Sequence, residues 1–199
     1  MTLTQPDIIL ASGSPRRREM LEQLGITIRV VPSDVPEDVL PAETPEEHVV
    51  RLSIAKAKEV AGRSDIVGRW FIGSDTIVLC GEQILGKPAD ENEAASMLRS
   101  LSGADHRVLS GYVVFDRQTG EMASDVVSTT VHFRTLTETE IAGYIASGEP
   151  MDKAGAYAIQ GKGGVFVERI SGSYNNVVGM PLCQVVEVLK RMGAVKLFK

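Results

Sequence analysis

Short apolar runs alternate along the chain with segments whose apolar positions recur every three or four residues, and glycine, proline and small polar residues punctuate the changes. The short runs predict buried strands and the periodic segments amphipathic helices. Residues 8–11 form a first strand that stops at small residues. Ser14 then stands at a helix N-cap, Pro15 at its first position and Gly25 at its end. The β-branched stretch 26–31 predicts the next strand. A proline-punctuated loop follows, which concentrates acid at Asp34, Glu37 and Asp38. Thr44, Pro45 and Glu47 make a capping box for a helix that Gly62 ends. Residues 70–79 are an apolar strand interrupted by S-D-T. Asp90 and Glu93 open a helix that runs to Leu101 and stops at Gly103. Residues 107–115 and 126–133 predict paired strands, with Gln118, Thr119 and Gly120 as turn material. Thr137 and Glu140 make a second capping box, before a helix closed by Gly148. Residues 154–181 are glycine-rich with a strand at 165–170. In 181–192, Leu182, Val185, Val186 and Leu189 share one stripe of a last helix. This alternation predicts an α/β fold around a mixed sheet. With no repeat or linker, the 199 residues predict a single domain over 1–199.

Composition narrows the function. The formal net charge of -5 argues against a nucleic-acid-coating protein, which needs a basic face, and 5% aromatics argue against a base-stacking platform. No apolar run approaches the roughly 18 residues of a membrane span, and the N-terminus lacks the pattern of a signal peptide. Cys80 and Cys183 form no C-x-x-C and are expected as two buried free thiols in a reducing cytosol. The three histidines are scattered, so carboxylates, lysines and arginines must carry the chemistry.

Against that acidic balance, A-S-G-S-P-R-R-R puts three arginines at a helix start, an end that is already partly positive. Either this is a solvated basic turn or an anion is meant to arrive. Successive helical positions differ by about 100°, so Arg16, Arg17 and Arg18 cannot share one direction. G-E-Q-I-L-G-K-P at 81–88 imitates a phosphate-binding loop and fails, because Pro88 replaces the hydroxyl residue and no helix begins at the lysine. Lys87 still offers a fixed positive charge, since the following proline restricts its backbone. Asp75 lies inside the apolar W-F-I-G-S-D-T-I-V-L-C, where a carboxylate is costly unless it is paired or hydrogen-bonded. It is either held by the Ser74 and Thr76 hydroxyls or serves as metal ligand or general base at a strand end. Glu37 fits an ordinary acidic loop, and Lys56, in A-K-A-K, an ordinary surface helix. The glycines of I-Q-G-K-G-G-V exceed what turns need, which suggests either close backbone approach or tight sheet corners.

Taken together, A-S-G-S-P-R-R (11–17), S-D-T-I-V (74–78), G-K-P (86–88), M-L-R-S-L-S-G (97–103), D-K-A-G-A-Y-A-I-Q-G (152–161) and G-S-Y-N-N-V-V-G-M-P-L (172–182) resemble the Maf family of nucleoside triphosphate pyrophosphatases. The resemblance runs nearly end to end. It implies a fold like that of the inosine triphosphate pyrophosphatases: an elongated mixed sheet flanked by helices, with a central cleft, usually dimeric. It also implies hydrolysis between the α and β phosphates with Mg²⁺ or Mn²⁺, on a small nucleotide in the cytoplasm, with no nucleic acid or membrane partner. Arg17, Thr76 and Gln160 match positions associated with pyrimidine selectivity, which implies the dTTP/UTP branch. Ala158, often glycine in the family, and Met180, often leucine, depart mildly from its pattern. By the same resemblance Asp75 and Glu37 hold the cation, and Asp75 accepts the water's proton. Arg16, Lys56 and Lys87 neutralise phosphates, Ser12 hydrogen-bonds them, and Gln160 faces the base. A non-catalytic nucleotide-binding regulator of cell division is the alternative; a purine triphosphate pyrophosphatase would conflict with the selectivity residues.

Overall fold

A seven-stranded mixed sheet organises residues 7–198, the part of the chain that the computed structural model describes. Its strands are β1 (Ile8–Leu10), β2 (Arg29–Val30), β3 (Trp70–Cys80), β4 (Gln83–Leu85), β5 (Asp105–Asp116), β6 (Met122–Phe133) and β7 (Val167–Ser171). They run in the order β2-β1-β3-β5-β6-β7, with β4 paired to β3. β1 is parallel to β2 and β3, whereas β3–β4 and β6–β7 are antiparallel. The helices are α1 (Pro15–Glu22), α2 (Pro45–Ala61), α3 (Glu91–Leu101), α4 (Glu138–Ala146), α5 (Tyr174–Val178) and α6 (Leu182–Arg191). This is the mixed α/β architecture expected from the alternation of patterns. Among the described residues no helix is long and apolar enough to cross a membrane.

The chain forms two compact units. Described residues up to 75, with 110–127 and 179–198, make the first; 76–109 and 128–178 make the second. In the first, Ile9, Ala11, Val31, Ala57, Val60, Phe71 and Val113 share one buried cluster. Here α2 lies backbone-close on the sheet. A Cβ at Gly73 in β3 would sit 2.0 Å from the Ser53 carbonyl oxygen, and one at Gly111 in β5 would sit 2.2 Å from that of Val49. Only glycine permits that approach. The register of α2 is set from its start, where Thr44 and Glu47 exchange their capping bonds at 3.2 and 2.9 Å. In the second unit, α3 and α4 pack with Val78, Phe133, Tyr157 and Phe166 into another buried cluster. Thr137 and Glu140 cap α4 in the same reciprocal way.

Several local expectations are revised. β2 is shorter than 26–31 because Ile26 belongs to the end of α1. Gly25, at φ +73°, lets the Ile26 N–H reach the Leu21 carbonyl (3.2 Å) and its own N–H reach that of Glu22 (2.9 Å). Residues 162–166 are a 3-10 turn, so β7 begins at Val167, and 174–178 form the short α5 inside the glycine-rich stretch. Ser14 occupies the N-cap of α1 but its side chain makes no capping bond. Neither thiol is fully buried: Cys80, where β3 leaves its buried run, is half-buried, and Cys183, on the outward side of α6, is exposed.

Candidate active site

The site builds from the turn between β1 and α1. The Ser14 N–H donates to Ser12 Oγ (3.2 Å) instead of receiving a cap, and the first turn of α1 holds no acidic residue. That helix end therefore keeps its partial positive charge. The three arginines that follow have separate fates. Arg18 is exposed and lies 3.6 Å from Glu22, one turn on. Arg17 points inward and is only 8% exposed. Its Nε donates to the Gly179 carbonyl (2.8 Å), and its Nη1 to Ser12 Oγ (3.0 Å) and to the Ser74 carbonyl (2.7 Å). Arg17 thus ties α1, the end of β1, the middle of β3 and the segment before α6 into one frame. Burial lowers its pKa from the ordinary arginine value, opposed by the fields of Asp75 and Glu37. Arg16 lies between these extremes, half-buried in the same turn.

Next to that frame, Lys56 of α2 meets Asp75 of β3. Both are buried, at 6% and 7% exposure, and Lys56 Nζ donates to Asp75 Oδ1 at 2.7 Å. The same ammonium donates to Glu37 Oε1, whose side chain is 56% exposed. One cation therefore holds a buried and an exposed carboxylate together. Lys56 belongs to the buried side of α2, so the surface-helix alternative does not hold. The Ser74 hydroxyl does not account for Asp75, since Ser74 Oγ donates to the Gly111 carbonyl (2.8 Å). The close approach at Gly73 explains why a lysine three residues beyond Ser53 reaches a carboxylate two residues beyond Gly73.

Sequence reasoning missed the support beneath Glu37. Glu43, its side chain only 7% exposed, accepts from both Arg51 Nε and Nη2, the latter at 2.9 Å, and its Oε2 lies 3.0 Å from His48 Nδ1. Arg51 also donates to the Asp38 carbonyl (3.0 Å), which pins the backbone beside Glu37. Bonding from Arg51 outweighs burial and holds the Glu43 carboxyl at a pKa of about 2, so it stays ionised. The available signal was an acid just before the α2 capping box with His48 and Arg51 one turn apart on that helix.

Direct bonds thus join Ser12 to Arg17, and Lys56 to both Glu37 and Asp75. Thr76, Lys87 and Gln160 belong to the second unit. Thr76 follows Asp75 on β3 and is half-buried. Lys87 is exposed just past β4, beside buried Pro88. The next helix begins at Glu91, capped by Asp90, so a phosphate-binding loop is excluded by structure as well as by sequence. Gln160 is exposed in the loop before the 162–166 turn.

Glu37 and Asp75 are hard oxygen donors that already converge on one cationic atom, the Lys56 ammonium, and so fit a divalent cation. Among the described residues no cluster of three or more His, Cys, Asp or Glu is placed to hold a metal ion. Two carboxylates leave most positions of a six-coordinate Mg²⁺ to water and substrate oxygens, which is how such ions bind at phosphate sites.

Comparison with known proteins covers most of the chain. Residues 7–192 match the family described as Maf-like protein. The dTTP/UTP pyrophosphatase of Syntrophotalea carbinolica is 60% identical over 191 residues, 96% of this chain and 87% of that one. The dTTP/UTP pyrophosphatase of Geotalea uraniireducens is 52% identical, covering 98% of this chain and 100% of its own. Among solved structures, a nucleoside-triphosphatase / dITP/XTP pyrophosphatase from Mycobacterium abscessus covers 93% of this chain and 97% of its own at 13% identity, with a TM-score of 0.44.

Proposed function

The chain belongs to the Maf-like protein family, and we propose that it hydrolyses dTTP and UTP to the nucleoside monophosphate and pyrophosphate. The observation that carries this reading is the Glu37–Lys56–Asp75 group, framed by Arg17 beside an uncapped helix start, in a chain 60% identical to a dTTP/UTP pyrophosphatase. Glu37 and Asp75 hold Mg²⁺ or Mn²⁺, which when bound supplies positive charge to the phosphate oxygens. Asp75, anchored through Oδ1 to Lys56, presents its other oxygen to a water and accepts its proton. The water oxygen bonds to the α-phosphorus, and the bond to the bridging oxygen of the β-phosphate breaks. Pyrophosphate leaves with that electron pair. The N-terminus of α1, Arg16 and Lys56 oppose the charge that accumulates, and Lys87 does the same by the family resemblance. Ser12 and Arg17 orient phosphate oxygens, and Arg17 acts also through the Ser74–Asp75 backbone that it holds. Thr76 and Gln160 serve selectivity, the Gln160 amide offering the donor and acceptor that an imide edge requires. The family resemblance also supports a homodimer working on free nucleotide in the cytoplasm.

The test is to incubate purified protein and its Asp75→Asn variant with dTTP, UTP, ITP and 7-methyl-GTP in Mg²⁺ and identify the products. Pyrophosphate from dTTP and UTP is expected, with the variant slower by about 10²–10⁴-fold, the usual share of a positioned base. Near-full activity in the variant would remove Asp75 from the mechanism. No product from any nucleotide would return the non-catalytic reading.

A further inference from the structure

Apart from Gln160, the sequence pattern I-Q-G-K-G-G-V has no role in the mechanism above, yet its glycines are under tight local constraint. In the second unit, the loop from Ala158 to Lys162 carries Gln160 and is closed from both sides. The Ala158 N–H donates to the Tyr144 hydroxyl (3.1 Å), and that hydroxyl donates to Glu149 Oε1 (2.9 Å). The same carboxylate accepts the Gly163 N–H on Oε1 and the Lys162 N–H on Oε2, each at 3.0 Å. One phenol and one carboxylate, from the end of α4 and the turn after it, therefore bind both feet of the loop. Just ahead of it, the Tyr157 hydroxyl lies 2.8 Å from His106 Nε2, which fixes the entry.

The glycines are what allow this closure. Gly161 sits at φ +156°, and a Cβ there would lie 2.7 Å from Glu149 Oε1. A Cβ at Gly163 would lie 2.6 Å from the Tyr144 hydroxyl, and one at Gly164 would lie 2.7 Å from the Ile159 carbonyl. Burial opposes charge on Glu149, but the N–H groups of Gly163 and Lys162 and the Tyr144 hydroxyl overcome it and hold the carboxyl below its usual value. Burial, with Glu149 beside it, pushes the Tyr144 phenol up, so it remains a donor. Both partners keep at neutral pH the protonation states that the closure needs.

We propose that Tyr144 and Glu149 are positioning residues for base selectivity, a clasp that holds the Gln160 loop in the one shape from which its amide meets a pyrimidine imide edge. This rests on the reading of Gln160 as the base-facing residue. The clasp touches no substrate. Opening it lets the loop sample other shapes, which weakens discrimination between bases and leaves the phosphate chemistry intact.

The experiment measures kcat and KM for dTTP and for dCTP, whose exocyclic amine replaces the imide pattern. It compares the wild type with Gln160→Ala, Glu149→Gln, Tyr144→Phe and the Gln160→Ala/Glu149→Gln double variant, with thermal melting as the check on folding. Glu149→Gln is expected to raise KM for dTTP about tenfold, leave kcat within about twofold and cut the dTTP-over-dCTP preference by a similar factor. Tyr144→Phe, nearly isosteric, is expected to shift the same quantities about threefold, and it carries the test if the other variant fails to fold. The double variant is expected to lose no more selectivity than Gln160→Ala alone, because the clasp acts through that residue. Unchanged preference in Glu149→Gln and Tyr144→Phe while Gln160→Ala loses it would overturn the clasp, as would losses that multiply in the double variant. Unchanged preference in Gln160→Ala would instead overturn the base-facing reading of Gln160, and the clasp's role with it.

Discussion

Lys56 and Asp75 are expensive residues to bury, since each ion loses its water and the pair recovers that cost only with good geometry. Their 2.7 Å contact and the shared Glu37 supply that geometry. Asp75 was visible in the sequence as a carboxylate inside an apolar run. Lys56 was also visible, in a signal not used: it falls seven residues after Val49 and four after Leu52, on the apolar stripe of α2, whereas Lys58 falls on the outside. Arg17 was less legible, because its partner Gly179 lies 162 residues away and nothing local encodes that distance. A second buried titratable group makes a separate prediction. His106 lies edge-on to Phe133 and Tyr157, and burial lowers its pKa from 6.5 to about 4, so it is neutral in the folded protein at pH 7. The unfolded chain takes up a proton below pH 6.5 that the folded one refuses. This contribution is therefore fully present at neutral pH and is lost as pH falls from 6.5 toward 4. Melting temperature should drop between pH 6.5 and about 5 in the wild type and less steeply in His106→Phe. Parallel slopes for the two proteins would contradict a neutral buried His106.

At the scale of elements, the helix starts were the best-encoded features. Thr44 with Glu47 and Thr137 with Glu140 fixed α2 and α4 because a capping box is a local code, satisfied within four residues. The stretch 154–181 was poorly encoded for the opposite reason. Its 3-10 turns and short α5 are held by residues outside the stretch: Tyr144 and Glu149 bind its backbone, and Val108 and Thr129, distant in sequence, bind the Asn176 side chain. The element that brings Lys56 to Asp75 is α2, seated against β3 with no side chain between their backbones at Gly73. Gly73→Ala puts a methyl 2.0 Å from the Ser53 carbonyl, so helix or strand must shift. The expected cost is about 1–3 kcal/mol, typical of overpacking. Turnover should fall more than stability implies, because Lys56 and Asp75 are pulled apart. Denaturant unfolding beside kcat at a temperature where the variant is folded checks this; loss of stability with full turnover would contradict the positioning role of the seat.

For the whole molecule, the net charge of -5 argued against a nucleic-acid-coating role and the arginines at the α1 start pointed to an anion, and the ordered motifs led to the family that residues 7–192 match. The α/β class followed from the alternation of patterns. The division into two units did not, because β3, β5 and β6 each contribute residues to both, and no composition change marks the crossings. The first unit holds the carboxylates and their cationic partners, and the second holds the Gln160 loop and its clasp. The proposed function reduces to one chemical statement, that water attacks the α-phosphorus. The direct measurement is hydrolysis of dTTP in water enriched in oxygen-18, with the label located by mass spectrometry of both products. Label in the nucleoside monophosphate and none in the pyrophosphate is the predicted result; label in pyrophosphate, or products of dTDP and inorganic phosphate, would contradict it.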